Sequence, residues 1–268
     1  MEAMRRSTAA LAGLALTACG GGATTTPAIT ATVTLAPALA PSTLPPEPAQ
    51  PAVQTLAFEL RERKLENPDV EIDVVYVEFS PPADEARLGV VRKLNALLAQ
   101  MADKWVTEFE KEHRDVGEQG MSRPSLSVGC KPVLQTSQFV SVECSHYEYG
   151  GGPHGNHATL GYTYALDGVE PQLLQLEHIF REPHAGRARL VALCSADLKS
   201  QGASNVGDEM TEVSQALGEF ALEKDGLRVF FAPYSVGSYL EGEYTVHVGW
   251  RALEPLLSER MSPLVKPR

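Results

Sequence analysis

Three histidines lie around a run of glycines in residues 146–162, and these residue types are suited to metal chemistry. Three neutral imidazoles can bind zinc in a secreted protein. The spacing His-x-x-His lacks the glutamate of the His-Glu-x-x-His motif, so a zinc site stays an alternative hypothesis here. The ligands of that alternative site are His146, His154 and His157. The sequence shows no clear fourth ligand, although Asp167 or His178 could approach.

Other catalytic patterns are weaker. The sequence has no Gly-x-Ser-x-Gly motif for a serine nucleophile, and its glycine run lacks the spacing and the Lys-Ser/Thr ending of a phosphate-binding loop. Glu143 and Glu148 flank the glycine run, but glycosidase chemistry needs two carboxyl groups facing each other across a cleft. We therefore assign no catalytic residue and expect no cofactor, and keep a zinc- or carboxylate-dependent hydrolase as the alternative.

The glycine run is predicted to be a strand-to-strand corner first and a binding loop second. Tyr147, Tyr149, Tyr162 and Tyr164 alternate on both sides of it, and tyrosine is enriched at binding interfaces. Glycine lets a backbone approach its partner closely, and histidine supplies hydrogen bonds. The candidate ligand-binding residues are Tyr149, Gly151, Gly152, His154, Gly155 and His157.

The spacing of apolar residues predicts the helices and strands that must position this loop. Residues 83–115 have apolar side chains at helical spacing and predict a long amphipathic helix, and residues 185–200 predict a second helix. Alternation of apolar and polar residues predicts a sheet made mainly of hairpins. The expected fold class is α+β, a mainly antiparallel sheet packed by two helices. Single strands are predicted over 70–80, 158–168, 227–234 and 244–250, and a hairpin of two strands over 126–148. A short element is predicted over 173–182.

The cysteines bear on both compartment and fold. Cys130 and Cys144 are equally distant from Ser137 in the predicted hairpin, so they face each other across the strands and predict a disulfide. Cys194 lies in an apolar helical pattern and is predicted to be a buried free thiol.

The first residues resemble a lipoprotein signal. Arg5 and Arg6 precede a short apolar run that ends in Leu16-Thr17-Ala18-Cys19, similar to a bacterial lipobox. We expect a signal peptide over 1–18 and a lipid on Cys19, and Gly20 after the cysteine favours the outer membrane, facing the periplasm. Residues 19–55 are a Thr/Ala/Pro-rich linker of disordered composition. Residues 56–268 form the predicted folded part, either as one domain or as two subdomains over 56–122 and 123–268.

Charge limits the kinds of partner. The chain of 268 residues carries a formal net charge of −11. An acidic surface disfavours nucleic acid and anionic lipid, and it attracts basic partners over long range. We expect no nucleic-acid partner, and contact with a membrane only through the lipid.

A family resemblance adds to this interpretation. Residues 147–168, "YEYGGGPHGNHATLGYTYALDG", followed by "LLQLEHIF", resemble the extracellular domain of RsiV-type anti-sigma factors, and residues 225–253 resemble its C-terminal strands. The resemblance implies a mixed α/β fold outside the cytoplasmic membrane. It also implies a binding role, because the anti-sigma members bind lysozyme with this domain.

This sequence departs from that family in two respects. We find no transmembrane helix or sigma-binding segment, so we do not expect anti-sigma activity, and Pro153 stands where the family often has alanine. We therefore favour a lipid-anchored, non-enzymatic binding or sensing protein of the cell envelope. Its expected ligand is lysozyme or a peptidoglycan-related molecule.

Overall fold

The computed structural model describes residues 56–114, 122–207 and 210–265. The predicted signal peptide 1–18, Cys19 and the linker 19–55 lie outside these described residues. Within the described ranges, no helix combines the length and the apolar composition that crossing a bilayer requires.

The expected α+β class is confirmed, with one mixed six-stranded sheet and one antiparallel three-stranded sheet. The six strands pair in chain order, and β2 with β3 is the parallel pair, so the larger sheet crosses the suggested 122/123 boundary. Its strands are β1 (Phe58–Glu66), β2 (Glu71–Phe79), β3 (Ser125–Gln135), β4 (Phe139–Tyr149), β5 (Asn156–Ala165) and β6 (Gln172–Leu173). The smaller sheet consists of β7 (Phe220–Leu222), β8 (Gly226–Phe231) and β9 (Tyr244–Gly249).

In the part of the chain that the structure describes, four α-helices accompany the sheets. They are α1 (Glu85–His113), α2 (Pro183–Gln201), α3 (Thr211–Ala216) and α4 (Trp250–Leu253). Single 3-10 turns occupy Leu176–Ile179, Tyr239–Glu241, Glu254–Leu256 and Glu259–Leu264. The two long helices are the predicted ones, whereas β1, β7 and α3 were not predicted.

Helix α1 covers one face of the large sheet. Val91, Leu94 and Leu98 recur every three or four residues and are fully buried, so the helix has one apolar stripe that packs on the strands. Asn95 fixes its position, because its side-chain amide both accepts from Phe79 N (2.9 Å) and donates to Phe79 O (2.8 Å). The helix therefore contributes both a hydrophobic contact and a specific register.

The small sheet packs on the opposite face. Ser141, on β4, is fully buried, and its Oγ lies 2.8 Å from Thr163 Oγ1 on β5 and accepts a hydrogen bond from Leu222 N on β7 (3.0 Å). Close by, the buried carboxylate of Glu143 accepts from Arg228 on β8 (2.9 Å). A second core, made by the small sheet, α2 and the C-terminal turns, lies behind this contact.

The structure contains the predicted disulfide. Cys130 and Cys144 are direct partners across β3 and β4, and both are buried on the α1 side of the sheet. Cys194 is free and buried in α2, as predicted, and burial raises the pKa of its thiol to about 12. A thiol with this pKa is protonated at neutral pH and is a poor nucleophile.

The bridge should contribute measurably to stability. It joins residues 14 apart in sequence, and closing a loop of this size restricts the unfolded chain by about 3 kcal/mol. We expect the double variant Cys130→Ala/Cys144→Ala to lose roughly that free energy of unfolding in a urea titration. A reductant should lower the urea midpoint of the wild type to that of the variant and leave the variant unchanged. Equal midpoints for wild type and variant without reductant would contradict this role.

Candidate binding site

The glycine run forms the corner between β4 and β5. β4 ends at Tyr149 and β5 begins at Asn156, so residues 150–155 make the whole connection. Gly151 has a φ of 88°, a left-handed conformation that residues with a side chain rarely adopt. Tyr149, at the end of β4, is half-buried.

The sheet separates the three histidines of the alternative zinc site. His146 lies on the α1 face, where its ring meets Trp105 edge to face at 6.2 Å. His157 pairs directly with Tyr147, the next residue along β4, so its side chain points to the opposite face. Burial lowers the pKa of His146 and keeps its imidazole neutral.

The additional ligands proposed from sequence are engaged elsewhere. Asp167 forms a two-point ion pair with Arg260, which lowers the pKa of its carboxyl group. His178 Nδ1 accepts a hydrogen bond from Gln175 N at 2.9 Å. Among the described residues, no group of three metal-ligating side chains within 4.8 Å of one another includes His146, His154 or His157.

The four tyrosines divide in the same way. Tyr147 and Tyr149 point to the face that carries the small sheet, whereas Tyr162 and Tyr164 point toward α1. Tyr162 packs edge to face on Trp105 at 6.0 Å, and burial raises its pKa to about 12. Of the four tyrosines on both sides of the glycine run, the two on β4 therefore lie on the face that carries the small sheet.

The missing part of the site comes from the segment between β8 and β9. The ring of Tyr239 stacks on His154 at 4.3 Å and on Tyr234 at 5.4 Å, and it meets His157 edge to face at 5.9 Å. Its hydroxyl donates to Gly155 O at 2.6 Å. We call His154, His157, Tyr234 and Tyr239 the aromatic cluster.

The structure brings together three of the six predicted ligand-binding residues. His154 and His157 belong to the aromatic cluster, and Gly155 receives the Tyr239 hydrogen bond. Tyr149, Gly151 and Gly152 lie in or next to the corner, and they take no part in the ring contacts of Tyr239 described above. Sequence reasoning missed Tyr234 and Tyr239, although the Tyr-, Ser- and Gly-rich composition of residues 233–244 resembles that of antibody contact loops.

The cluster presents apolar side chains to solvent. Tyr234 is 62% exposed and Leu240 is 96% exposed. Tyr234 also has a φ of 69°, which costs a residue with a side chain on the order of 1 kcal/mol or more. Tyr234 stacks on Tyr239 and Leu240 follows Tyr239 in the chain, so both exposed side chains flank the same ring.

Glu241 organises the segment that carries Tyr239. Its Oε1 accepts from Ser204 Oγ (2.7 Å) and Ser238 N (2.7 Å), and its Oε2 accepts from Ser204 N (2.9 Å) and Tyr244 OH (2.9 Å). The hydrogen bonds from Ser204 and Ser238, first of all that from the Ser204 hydroxyl, lower the pKa of Glu241 well below its usual 4.5.

A groove of about 440 Å³ continues from His157 of the cluster along the sheet. Glu243 forms part of its wall, and its Oε2 accepts from Thr159 Oγ1 at 2.9 Å. Its Oε1 is buried and has no hydrogen-bond partner among the described residues. A buried carboxylate oxygen without a donor costs free energy, so this atom favours a ligand that brings an N–H or O–H group. The other groove residues include Ser127, Ser145, Tyr147 and His157.

Comparison with known proteins identifies the C-terminal part of this site. Residues 177–251 match the model of the family described as "Protein of unknown function (DUF3298)". The chain is therefore similar to the DUF3298 family over residues 177–251. The DUF3298 match includes Tyr234 and Tyr239, whereas the glycine corner lies before it.

Two solved structures share the fold. A DUF3298 family member from Bacteroides fragilis NCTC 9343 aligns with a TM-score of 0.58 at 16% identity, over 78% of this chain and 96% of that chain. A DUF3298 family protein from Pseudomonas aeruginosa PAO1 aligns with a TM-score of 0.54 at 13% identity, over 80% of this chain and 98% of that chain. At these identities the likeness concerns the fold alone.

A characterised relative matches by sequence. The peptidoglycan-N-acetylmuramic acid deacetylase PdaC of Bacillus subtilis (strain 168) is 26% identical over 174 residues. The match covers 63% of this chain and 37% of that enzyme, so most of the enzyme has no counterpart here.

Close packing at Gly155 gives a first test of the corner. A Cβ at Gly155 would lie 2.4 Å from Tyr147 Oη, whereas a Cβ at Gly152 would have no atom within 4 Å. We expect Gly155→Ala to lower the melting temperature by only a few degrees, because the clash falls on the far end of the exposed Tyr147 side chain, which must move away. Gly152→Ala is the matched control and should melt near the wild type. Equal effects of the two variants would show that the Tyr147 contact does not constrain the corner.

The role of Glu241 gives a pH-dependent test. Because its folded-state pKa is lowered, the stability it contributes is complete above the ordinary pKa of 4.5 and is lost as pH falls toward the folded-state value. We expect Glu241→Ala to be less stable than the wild type at pH 7, and this difference to shrink as pH falls below 4.5 in urea titrations. Glu112→Ala, which removes an exposed carboxylate from α1, is the control. A difference that grows on acidification would refute the assignment.

Proposed function

We propose that this chain is a non-enzymatic binding protein of the bacterial cell envelope, held by a lipid on Cys19. Its ligand is a basic protein of the lysozyme type, bound by the aromatic cluster. The observation that carries the proposal is the exposed Tyr234 and Leu240 beside the stacked ring of Tyr239. Tyrosine rings offer large contact area at a low cost in conformational entropy.

Charge supports a basic partner. Glu241 and Glu243 lie in the same segment as the exposed aromatic side chains, and the whole chain has a net charge of −11. Opposite charges increase the association rate and help to select the partner. The resemblance to RsiV-type extracellular domains, whose anti-sigma members bind lysozyme, agrees with this choice.

A peptidoglycan fragment is the second candidate ligand, because PdaC, the relative described above, is named for an activity on N-acetylmuramic acid of peptidoglycan. Sugar rings also stack on tyrosine, and the unpaired Glu243 oxygen would accept a hydrogen bond from a hydroxyl or an amide. The zinc-dependent hydrolase has less support, because the sheet places His146 and His157 on opposite faces.

Calorimetry with purified lysozyme tests the proposal. The protein would begin at residue 19 with Cys19→Ser, so that it is free of lipid. We expect saturable one-to-one binding that weakens as salt rises. Tyr234→Ala should weaken it at least tenfold, which is about 1.4 kcal/mol, because truncating a central tyrosine removes a large part of a contact surface.

Phe58→Ala is the matched control, because Phe58 is an exposed aromatic residue on β1, at the end of the large sheet away from Tyr147. Saturable binding to muropeptides instead, sensitive to Tyr234→Ala, would select the second candidate. An absence of heat with both ligands, or binding that Tyr234→Ala leaves unchanged, would refute the aromatic cluster as the site.

A further inference from the structure

A second group of polar side chains lies away from the aromatic cluster, where β7 turns into β8. Glu223 and Asp225 belong to this turn, and His247 reaches them from β9. His247 Nε2 lies 3.3 Å from Asp225 Oδ1 and 3.6 Å from Glu223 Oε2. Among the described residues, this is the group whose three ligand atoms all lie within 4.8 Å of one another.

These separations fit a tetrahedral metal ion. Zinc binds imidazole nitrogen and carboxylate oxygen at about 2.0–2.2 Å, so two ligand atoms of a tetrahedral site lie roughly 3.3–3.5 Å apart. The two measured distances from His247 lie at or close to this value. The third distance, between the two carboxylates, is no more than 4.8 Å, and the exposed Asp225 side chain is free of packing that would fix its rotamer.

The turn is held in place before any ion binds. The Trp250 indole donates to Glu223 O (3.2 Å), and Trp250 N donates to Asp225 O (3.1 Å). The His247 ring lies across Gly226, where a Cβ would come within 2.7 Å of Nε2. Backbone hydrogen bonds and a missing side chain thus direct the ligand atoms toward one point, which lowers the ordering cost of binding.

Arg228 orients the least exposed carboxylate. Its guanidinium pairs with Glu223 Oε1 and with Glu143 Oε2, so Glu223 is left with Oε2 facing His247. A neighbouring group that fixes one oxygen of a ligand carboxylate is common around protein metal sites. Glu143 also pairs with Lys131 (3.0 Å), so Arg228 and Lys131 together balance Glu143 and Glu223, and Asp225 adds a negative charge to the group.

We propose that Glu223, Asp225 and His247 bind a zinc ion, with solvent as the fourth ligand. One imidazole and two carboxylates are a zinc-type donor set, whereas magnesium and calcium prefer oxygen ligands alone. Asp225 is 79% exposed and His247 is 44% exposed at the side chain, so the fourth position is open to water. The site does not depend on what the aromatic cluster binds.

Zinc titration of the metal-stripped protein tests this site. With the chain beginning at residue 19 and carrying Cys19→Ser, calorimetry with zinc chloride should show one ion per chain, and magnesium chloride should give no heat. His247→Ala and Asp225→Asn should each weaken zinc binding at least tenfold. Melting temperatures measured in chelator should show that both variants remain folded.

His154→Ala and His184→Ala are the matched controls, because both remove an exposed imidazole outside the turn. They should bind zinc as the wild type does. If no zinc binds, the contacts of His247 are ordinary ion pairs and the proposal is wrong. Zinc binding that survives His247→Ala but is lost in His154→Ala would also overturn it.

Discussion

The buried hydroxyl of Ser141 is the contact on which the arrangement of the two sheets depends. It joins β4 to Thr163 on β5 and to the backbone of Leu222 on β7, so three strands of two sheets meet at one atom. Leaving such buried groups without partners costs about 1–3 kcal/mol each. Gly161 lies two residues before Thr163 on β5, and its lack of a side chain lets β7 approach, because a Cβ there would lie 1.9 Å from Phe220 O. The small sheet therefore has essentially one way to sit on the large one.

Both candidate sites follow from that placement. Because β8 and β9 are fixed against β4 and β5, the segment between them reaches the glycine corner, and Tyr239 can donate to Gly155 O. The opposite end of the same two strands brings His247 beside the β7–β8 turn. The large sheet keeps the histidines apart, because successive side chains along a strand point to opposite faces. His146 therefore faces α1, and His157 faces the small sheet. Spacing along the chain could suggest a three-histidine site, but pairing between strands decided which imidazoles meet.

The parts that sequence predicted are those governed by local periodicity. Helix α1, the hairpin of β3 and β4 and the Cys130–Cys144 bridge each depend on residues close in sequence, and all are present. β1 was missed because its charged residues occupy both faces, as suits an exposed edge strand, so it has no apolar alternation to detect. In the aromatic cluster, the two histidines were predicted but the two tyrosines were not, for another reason. Tyr239 and Gly155 are 84 residues apart, and nothing local to either indicates their contact.

The segment that carries Tyr234 and Tyr239 behaves as a rigid support for exposed side chains rather than as a hinge. Val236, between the two tyrosines, is fully buried, and its carbonyl accepts from Asn205 N at 3.0 Å. Glu241 ties the other end of the segment to Ser204, on the same 202–207 stretch. Tyr234 lies between the end of β8 and Val236, and Ser235 N donates to Ala232 O across it (3.1 Å), so this turn holds Tyr234 at its positive φ. A fold that fixes its most exposed tyrosine in a costly conformation reduces the ordering entropy lost on binding, which is what a recognition surface requires.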